Sequence, residues 1–162
     1  HLSIRRQRQM CIRDRDLKTP ALLVESVSTP EQYIRRTTIK ELADILKKDG
    51  FNVSLYDPFF YPNKDVLTKQ YDFITCTETV EHFHNPWNEF NTLNALLKPN
   101  GWLGIMTSFL TSDVMFENWY YRRDPTHVTF YCEKTFEVIA SQRNWICEIR
   151  SKDIALIRKN NE

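Results

Sequence analysis

The sequence predicts an α/β fold built on an open parallel sheet, and three observations carry that expectation. The first is the stretch Tyr71 to Thr107, YDFITCTETVEHFHNPWNEFNTLNALLKPNGWLGIMT, which reads as strand, acidic turn, capped helix, Pro-Asn-Gly turn and strand. Such an order is one parallel βαβ unit. The second is the same grammar one unit earlier, where a helical period from Thr38 to Lys48 precedes the apolar run Phe51 to Tyr56. The third is the placement of acids. Asp57 and Glu78 directly follow the predicted strands, at the carboxyl ends that open α/β sheets present to ligands.

The elements follow in chain order. Residues 1–15, HLSIRRQRQMCIRDR, back-translate into a string resembling the adapter used in transposase-based sequencing libraries, so they are expected to be adapter-derived and are excluded from fold reasoning. A basic arm for nucleic acid or an anionic membrane is the alternative. Setting aside Arg5, Arg6, Arg8, Arg13, Arg15 and Asp14 turns a chain of net charge +1 faintly acidic, which leaves no electrostatic case for nucleic acid. An adapter at the start also implies a natural protein that begins further upstream. Asp16 to Thr37 holds two prolines and no sustained period, and is expected to be irregular or an out-of-frame remnant.

From Thr38 the signals sharpen. Thr38 and Glu41 form a capping-box pattern, Ile39, Leu42, Ile45 and Leu46 recur at helical spacing, and Asp49-Gly50 supplies the stop. Tyr61 to Gln70 is a polar connection. Asn85 caps a second helix with Pro86 at its first position and Phe90, Leu93, Leu96 and Leu97 as its buried stripe. Lys98-Pro99-Asn100-Gly101 ends it, and Trp102 to Thr107 is a strand. Glu133 to Ser141 reads as a third helix with Phe136, Ile139 and Ala140 inward. Trp145 to Arg150 and Ile154 to Arg158 are two final strands.

Composition bounds the rest. Hydrophobic residues make up 41% of the chain, ordinary for a globular protein, and no apolar run approaches the roughly 20 residues of a membrane span. Cys11 falls in the excluded segment, and Cys76, Cys132 and Cys147 are widely spaced without a CxxC pair. They are expected to be reduced thiols in a cytoplasmic protein.

The strand-turn-helix wording around Thr77, Glu78, Glu81 and His82, with LYDPFF upstream, resembles the latter half of a class I S-adenosylmethionine-dependent methyltransferase, over about Thr38 to Lys159. The resemblance implies a Rossmann-like methyltransferase fold, mostly parallel with an antiparallel C-terminal strand, and an incomplete methyltransferase domain over residues 38–162. It implies S-adenosylmethionine as cofactor, with Asp57 on the ribose hydroxyls and Thr77 and Glu78 at the cofactor edge. The first strand and its glycine-rich loop are expected to be missing or degraded. The chain has only Gly50, Gly101 and Gly104, none before the first predicted helix.

Glu78, Glu81 and His82 stand at i, i+3 and i+4, so one helical turn would project all three from one face. Glu-x-x-Glu-His is similar to the pattern of the ubiquinone-pathway O-methyltransferases, which implies a divalent metal such as Mg²⁺ on these residues. Acids that merely complement a helix dipole are the alternative. In RRDPTHVTFY, His127 is a candidate general base oriented by Asp124, against a purely structural Asp-Pro-Thr turn. Trp119, Tyr120 and Tyr121 are candidates for the wall of an apolar substrate cavity, and His84 for a surface position. The expected activity is methyl transfer to a small molecule, on oxygen or carbon. A catalytically inactive methyltransferase-like binding module and a nicotinamide-dependent Rossmann enzyme are the alternatives.

Overall fold

The computed structural model describes residues 20–24 and 40–161. Residues 1–15, expected to be adapter-derived, lie outside them, as does any loop between residues 25 and 39. The strands are β1 Pro20–Val24, β2 Asn52–Tyr56, β3 Tyr71–Thr77, β4 Leu97–Met106, β5 Trp145–Ser151 and β6 Ile154–Lys159. The helices are α1 over residues 40–48, α2 Pro86–Leu96 and α3 Glu133–Ser141. One sheet holds the strands in the order β2-β1-β3-β4-β6-β5. β1 to β4 run parallel, and β6 inserts antiparallel between β4 and β5. The expected mostly parallel sheet with an antiparallel C-terminal member is therefore present.

One expectation is corrected. The segment 16–37 is not irregular throughout, because Pro20–Val24 form β1, which pairs with β2 on one side and β3 on the other. PALLV is apolar from end to end, so it lacks the alternation that marks a half-exposed strand.

The helices form for local reasons. Helix α1 stops at Gly50, whose φ of 91° suits a residue without Cβ. The Gly50 amide donates to the Lys47 carbonyl and the Phe51 amide to that of Leu46, both at 3.0 Å, which closes a Schellman motif. At the start of α2 the Asn85 side chain accepts from the Asn88 amide, and Pro86 fills the first helical position. In α3, Cys132 and Thr135 exchange the reciprocal bonds of a capping box.

Strand register shows which face each helix covers. Val53 and Leu55 pack with the buried Leu42, Ala43 and Leu46 of α1. Through β1 they stand in line with Phe73 and Thr75 of β3. Ile74 and Cys76 point to the other face, in line with Leu103 and Ile105 of β4 and onward with Ile157 and Ala155 of β6. There they meet Phe90 and Leu93 of α2 and Phe136 and Ala140 of α3 in the main core. Opposite faces are what right-handed crossovers require when the chain moves from β1 outward to β2 and then back past β1 to β3 and β4. Each fully buried phenylalanine, Phe90 and Phe136, contributes about 1.5–3 kcal/mol.

The reversal of strand order at β1 creates a switch point at the carboxyl edge. Tyr56, Val24 and Cys76 lie in register across β2, β1 and β3. Asp57 and Thr77, each one residue further on, therefore stand on the same edge of the sheet. With strands about 4.8 Å apart, two spacings put these tips roughly 10 Å from each other.

Between α2 and the working part of β4 the chain is tightly confined. A Cβ built on Gly101 would lie 2.8 Å from the Lys98 carbonyl oxygen and 3.2 and 3.3 Å from those of Tyr71 and Asp72. All three are backbone atoms. At Gly104 the nearest atom is the tip of the Phe73 ring at 3.2 Å, which can move. Gly101→Ala is therefore expected to destabilise the protein by about 1–3 kcal/mol in urea denaturation, and Gly104→Ala by clearly less.

Candidate active site

Asp57 directly follows β2 and is 1% exposed. Its Oδ1 accepts from the Phe59 amide at 2.7 Å and the Phe60 amide at 2.6 Å, the turn role that an aspartate before proline favours. Backbone bonds in both directions between Asp57 and Tyr61 close the loop. The carboxylate is thereby held in one orientation. Its second oxygen, Oδ2, is buried and has no hydrogen-bond partner among the described residues.

At the tip of β3 the backbone turns abruptly. Glu78 has φ of 50°, in the left-handed region that a non-glycine residue occupies at a cost. Its amide donates to the Met106 carbonyl at 2.8 Å, and the Thr77 carbonyl accepts from the Thr79 hydroxyl at 3.1 Å. A single 3₁₀ turn, Val80–His82, follows. The expected arrangement of Glu78, Glu81 and His82 on one helical face is therefore not formed, because Glu78 lies outside the turn with the wrong backbone hand.

The Asp-Pro-Thr-His segment is fastened to this turn. The His127 amide closes a turn onto the Asp124 carbonyl, and Asp124 Oδ1 accepts from both the amide and the hydroxyl of Thr126. The Val128 and Thr129 amides donate to the Glu81 carbonyl at 2.9 and 3.0 Å, and the Thr129 hydroxyl donates to that of Phe83 at 2.6 Å. His82 Nδ1 bonds the Thr126 carbonyl at 2.9 Å, and His127 Nδ1 that of Tyr121 at 2.7 Å. A carbonyl only accepts, so each imidazole carries its proton on Nδ1 and, when neutral, its lone pair on Nε2. The two rings stand edge to face with centroids 5.0 Å apart.

Glu81 is fully buried. The Tyr121 hydroxyl donates to its Oε1 at 2.5 Å and lies 3.0 Å from the Thr107 hydroxyl at the end of β4. A longer contact of 3.4 Å links the same phenol to Glu78. Burial first, and then the Glu81 and Glu78 charges, hold the Tyr121 phenol protonated by pushing its pKa far up. Burial also lowers the His82 pKa, more than the Thr126 carbonyl raises it. For Asp124 burial works upward, yet the hydrogen bonds from Thr126 win and hold the carboxyl below its ordinary value.

The structure thus unites Glu81, His82 and His127, with ligand-type atoms all within 4.8 Å of one another. His127 takes the place expected for Glu78. The Asp124 carboxylate makes no hydrogen bond to the His127 ring; its Oδ2 lies 3.7 Å from Nε2, and the Tyr121 carbonyl fixes the ring. Of the aromatic wall, Tyr121 is buried, Trp119 half-buried and Tyr120 71% exposed, while His84 is on the surface as expected. The role of the Tyr121 hydroxyl was missed at the sequence level. The signal available was that a phenol deep in a core needs a polar partner. No disulfide joins Cys76, Cys132 or Cys147 to another described cysteine, and burial pushes the Cys147 thiol up to about 11.

A sheet in this order, with an antiparallel strand inserted next to its last parallel member and acids at the switch-point edge, defines a Rossmann-like fold of the methyltransferase type. A family profile described as a methyltransferase domain matches residues 28–148, and the chain belongs to that family, the class I S-adenosylmethionine-dependent methyltransferases. Such a protein is an enzyme, a methyltransferase. Among solved structures it is similar to the YcgJ protein of Bacillus subtilis, with a TM-score of 0.63 at 14% identity over 93% of this chain and 71% of that one. An O-methyltransferase family protein from Burkholderia thailandensis gives a TM-score of 0.60 at 10% identity over 98% of this chain and 57% of the other. Magnesium protoporphyrin IX methyltransferase from Synechocystis PCC 6803, with bound S-adenosylhomocysteine, gives 0.59 at 10% identity over 98% and 83%. No curated protein matches by sequence. No helix among the described residues is long and apolar enough to cross a membrane.

Tyr121→Phe deletes the one hydrogen donated to the buried Glu81 carboxylate among the described residues. It is expected to cost about 1–3 kcal/mol in urea denaturation. Tyr120→Phe, on an exposed ring, should stay within about 0.5 kcal/mol of the parent.

Proposed function

We propose that the chain transfers a methyl group from S-adenosylmethionine to a small hydroxylated or carbon-acid acceptor at the carboxyl edge of β2, β1 and β3. The observation that carries this reading is the alignment of Asp57 and Thr77 one residue beyond the Tyr56–Val24–Cys76 row, on either side of the switch point. The residues at the edge fit a nucleoside. Asp57 Oδ2 is a buried acceptor without a donor among the described residues, and an unpaired buried acceptor costs about 1–3 kcal/mol that a ribose hydroxyl would recover. Thr77 and Glu78 form the neighbouring tip, where the turn at Glu78 brings backbone close to the crevice.

S-adenosylmethionine, when bound, supplies a methyl group on a cationic sulfur that departs as a neutral thioether. Positioning therefore does most of the work, and the remaining need is a sink for the acceptor's proton. His127 Nε2 suits that task in the metal-free chain. It carries the ring's lone pair and is held in place from the opposite nitrogen, and Asp124 Oδ2 at 3.7 Å would stabilise the imidazolium formed. Phe116, Trp119 and Phe130 pack ring against ring beside Tyr121, which favours a flat, partly apolar acceptor. The likeness to an O-methyltransferase family protein supports oxygen as the accepting atom.

Calorimetric titration with S-adenosylhomocysteine tests the reading, with micromolar binding expected and no heat counting against it. Asp57→Asn keeps an oxygen for the Phe59 and Phe60 amides but replaces the acceptor facing the ribose. It should weaken binding roughly ten- to hundredfold, the equivalent of about 1.5–3 kcal/mol.

A further inference from the structure

We infer that Glu81, His82 and His127 form a site for one divalent d-block cation of the zinc, cobalt or iron(II) kind, with an open position for water or an acceptor oxygen. The donor set is one carboxylate and two imidazoles, which suits these ions, whereas Mg²⁺ and Ca²⁺ call for oxygen. The three ligand-type atoms already lie within 4.8 Å of one another. Metal bonds of about 2.0–2.1 Å leave ligand atoms roughly 3.3 Å apart, a gap that small side-chain rotations close.

Two further observations point to a cation. Glu81 Oε2 and His127 Nε2 are both buried without a hydrogen-bond partner among the described residues, and their residues are 0% and 8% exposed. One is an anion's oxygen and the other a lone pair, so neither satisfies the other; a cation satisfies both. The outer contacts are also those of a metal centre. Both imidazoles donate Nδ1–H to backbone carbonyls, of Thr126 and Tyr121, which fixes Nε2 as the ligating atom, and the Tyr121 hydroxyl anchors the opposite oxygen of Glu81. Glu78 is not part of the set. The Glu-x-x-Glu-His string suggests an acid-rich site, but the fold replaces its first acid with an imidazole from a loop 46 residues beyond Glu81.

The site stands on these contacts alone and does not require the methyl-transfer reading. Should that reading hold, ion binding and proton uptake compete for the same His127 lone pair. With the ion in place, a coordinated acceptor hydroxyl would ionise in its field instead.

The test uses the untagged chain, stripped with a chelator and titrated with Co²⁺ while its visible absorption is followed. One ion per chain is expected. His82→Gln and His127→Gln should each weaken binding by at least about tenfold, and His84→Gln, at an exposed imidazole outside the cluster, should leave it unchanged. No uptake by the parent chain, or loss in His84→Gln with retention in His127→Gln, would overturn the site. Electron spin-echo modulation of the Cu²⁺-loaded parent needs no variant: two coordinated imidazoles support the assignment, and one or none refutes it. Calorimetry with S-adenosylhomocysteine on the same preparations separates the two readings, since cofactor heat without metal uptake rejects only the metal site, and the converse only the methyl donor.

Discussion

One hydrogen, donated by the Tyr121 phenol to the buried carboxylate of Glu81, joins the segment after β4 to the turn after β3. A carboxylate with no exposure is expensive in a folded protein unless it is paired and hydrogen-bonded. Here one oxygen is paired and the other has no partner among the described residues. The phenol can serve because Thr107, at the end of β4, hydrogen-bonds with the same hydroxyl, and because burial keeps Tyr121 protonated. The segment after β4 is therefore tied to the turn after β3. That tie adds to the bonds by which the Val128 and Thr129 amides and the Thr129 hydroxyl fasten the Asp-Pro-Thr-His loop to the same turn.

The unpaired atoms are not scattered at random. Asp57 Oδ2 lies at the tip of β2, and Glu81 Oε2 and His127 Nε2 beyond the tip of β3, so all three are at the carboxyl edge. Among the described residues the Nε atoms of Arg143 and Arg158 also have no partner. Arg143 stacks over Trp87 at 4.3 Å and bonds through its other nitrogens to Ile139, Trp87 and Asn91, which gives it a packing role. A domain retains few buried groups without partners, and those it retains ask for an explanation. At the carboxyl edge the explanation is chemical, because each orphan is an acceptor and each is aimed by a bond on its other side. The left-handed backbone at Glu78, lodged between them, is the kind of strain that collects where a chain must bend around a ligand.

What could be read from the sequence was what depends on near neighbours. The start of α2 was legible because Asn85, Pro86 and Asn88 settle it among themselves, and α3 because Phe136 and Ala140 share a face. Asp57 was legible because a turn acid after an apolar run has a strand tip as its natural place. The first strand was not, since PALLV is five residues long and its identity rests on two neighbours distant in sequence. The Glu78–Glu81–His82 grouping failed for a related reason. Spacing assumes a helix, and one residue with positive φ removes Glu78 from the pattern. The Glu81–His127 pairing depends on backbone bonds between segments more than 40 residues apart, and no local signal carries that.

The two tips also suggest a division of labour. The groups that would hold a nucleoside sit on β2 and at the start of the β3 turn. Those that would handle a proton or an ion sit one turn further on, toward β4. A substrate spanning them would pass over Glu78, the strained residue, whose amide is locked to Met106. On the proposed reading, a single bend would separate binding from chemistry. The acid-base corner can then change its ligands, imidazole for carboxylate, while the nucleoside edge stays as the sheet register sets it.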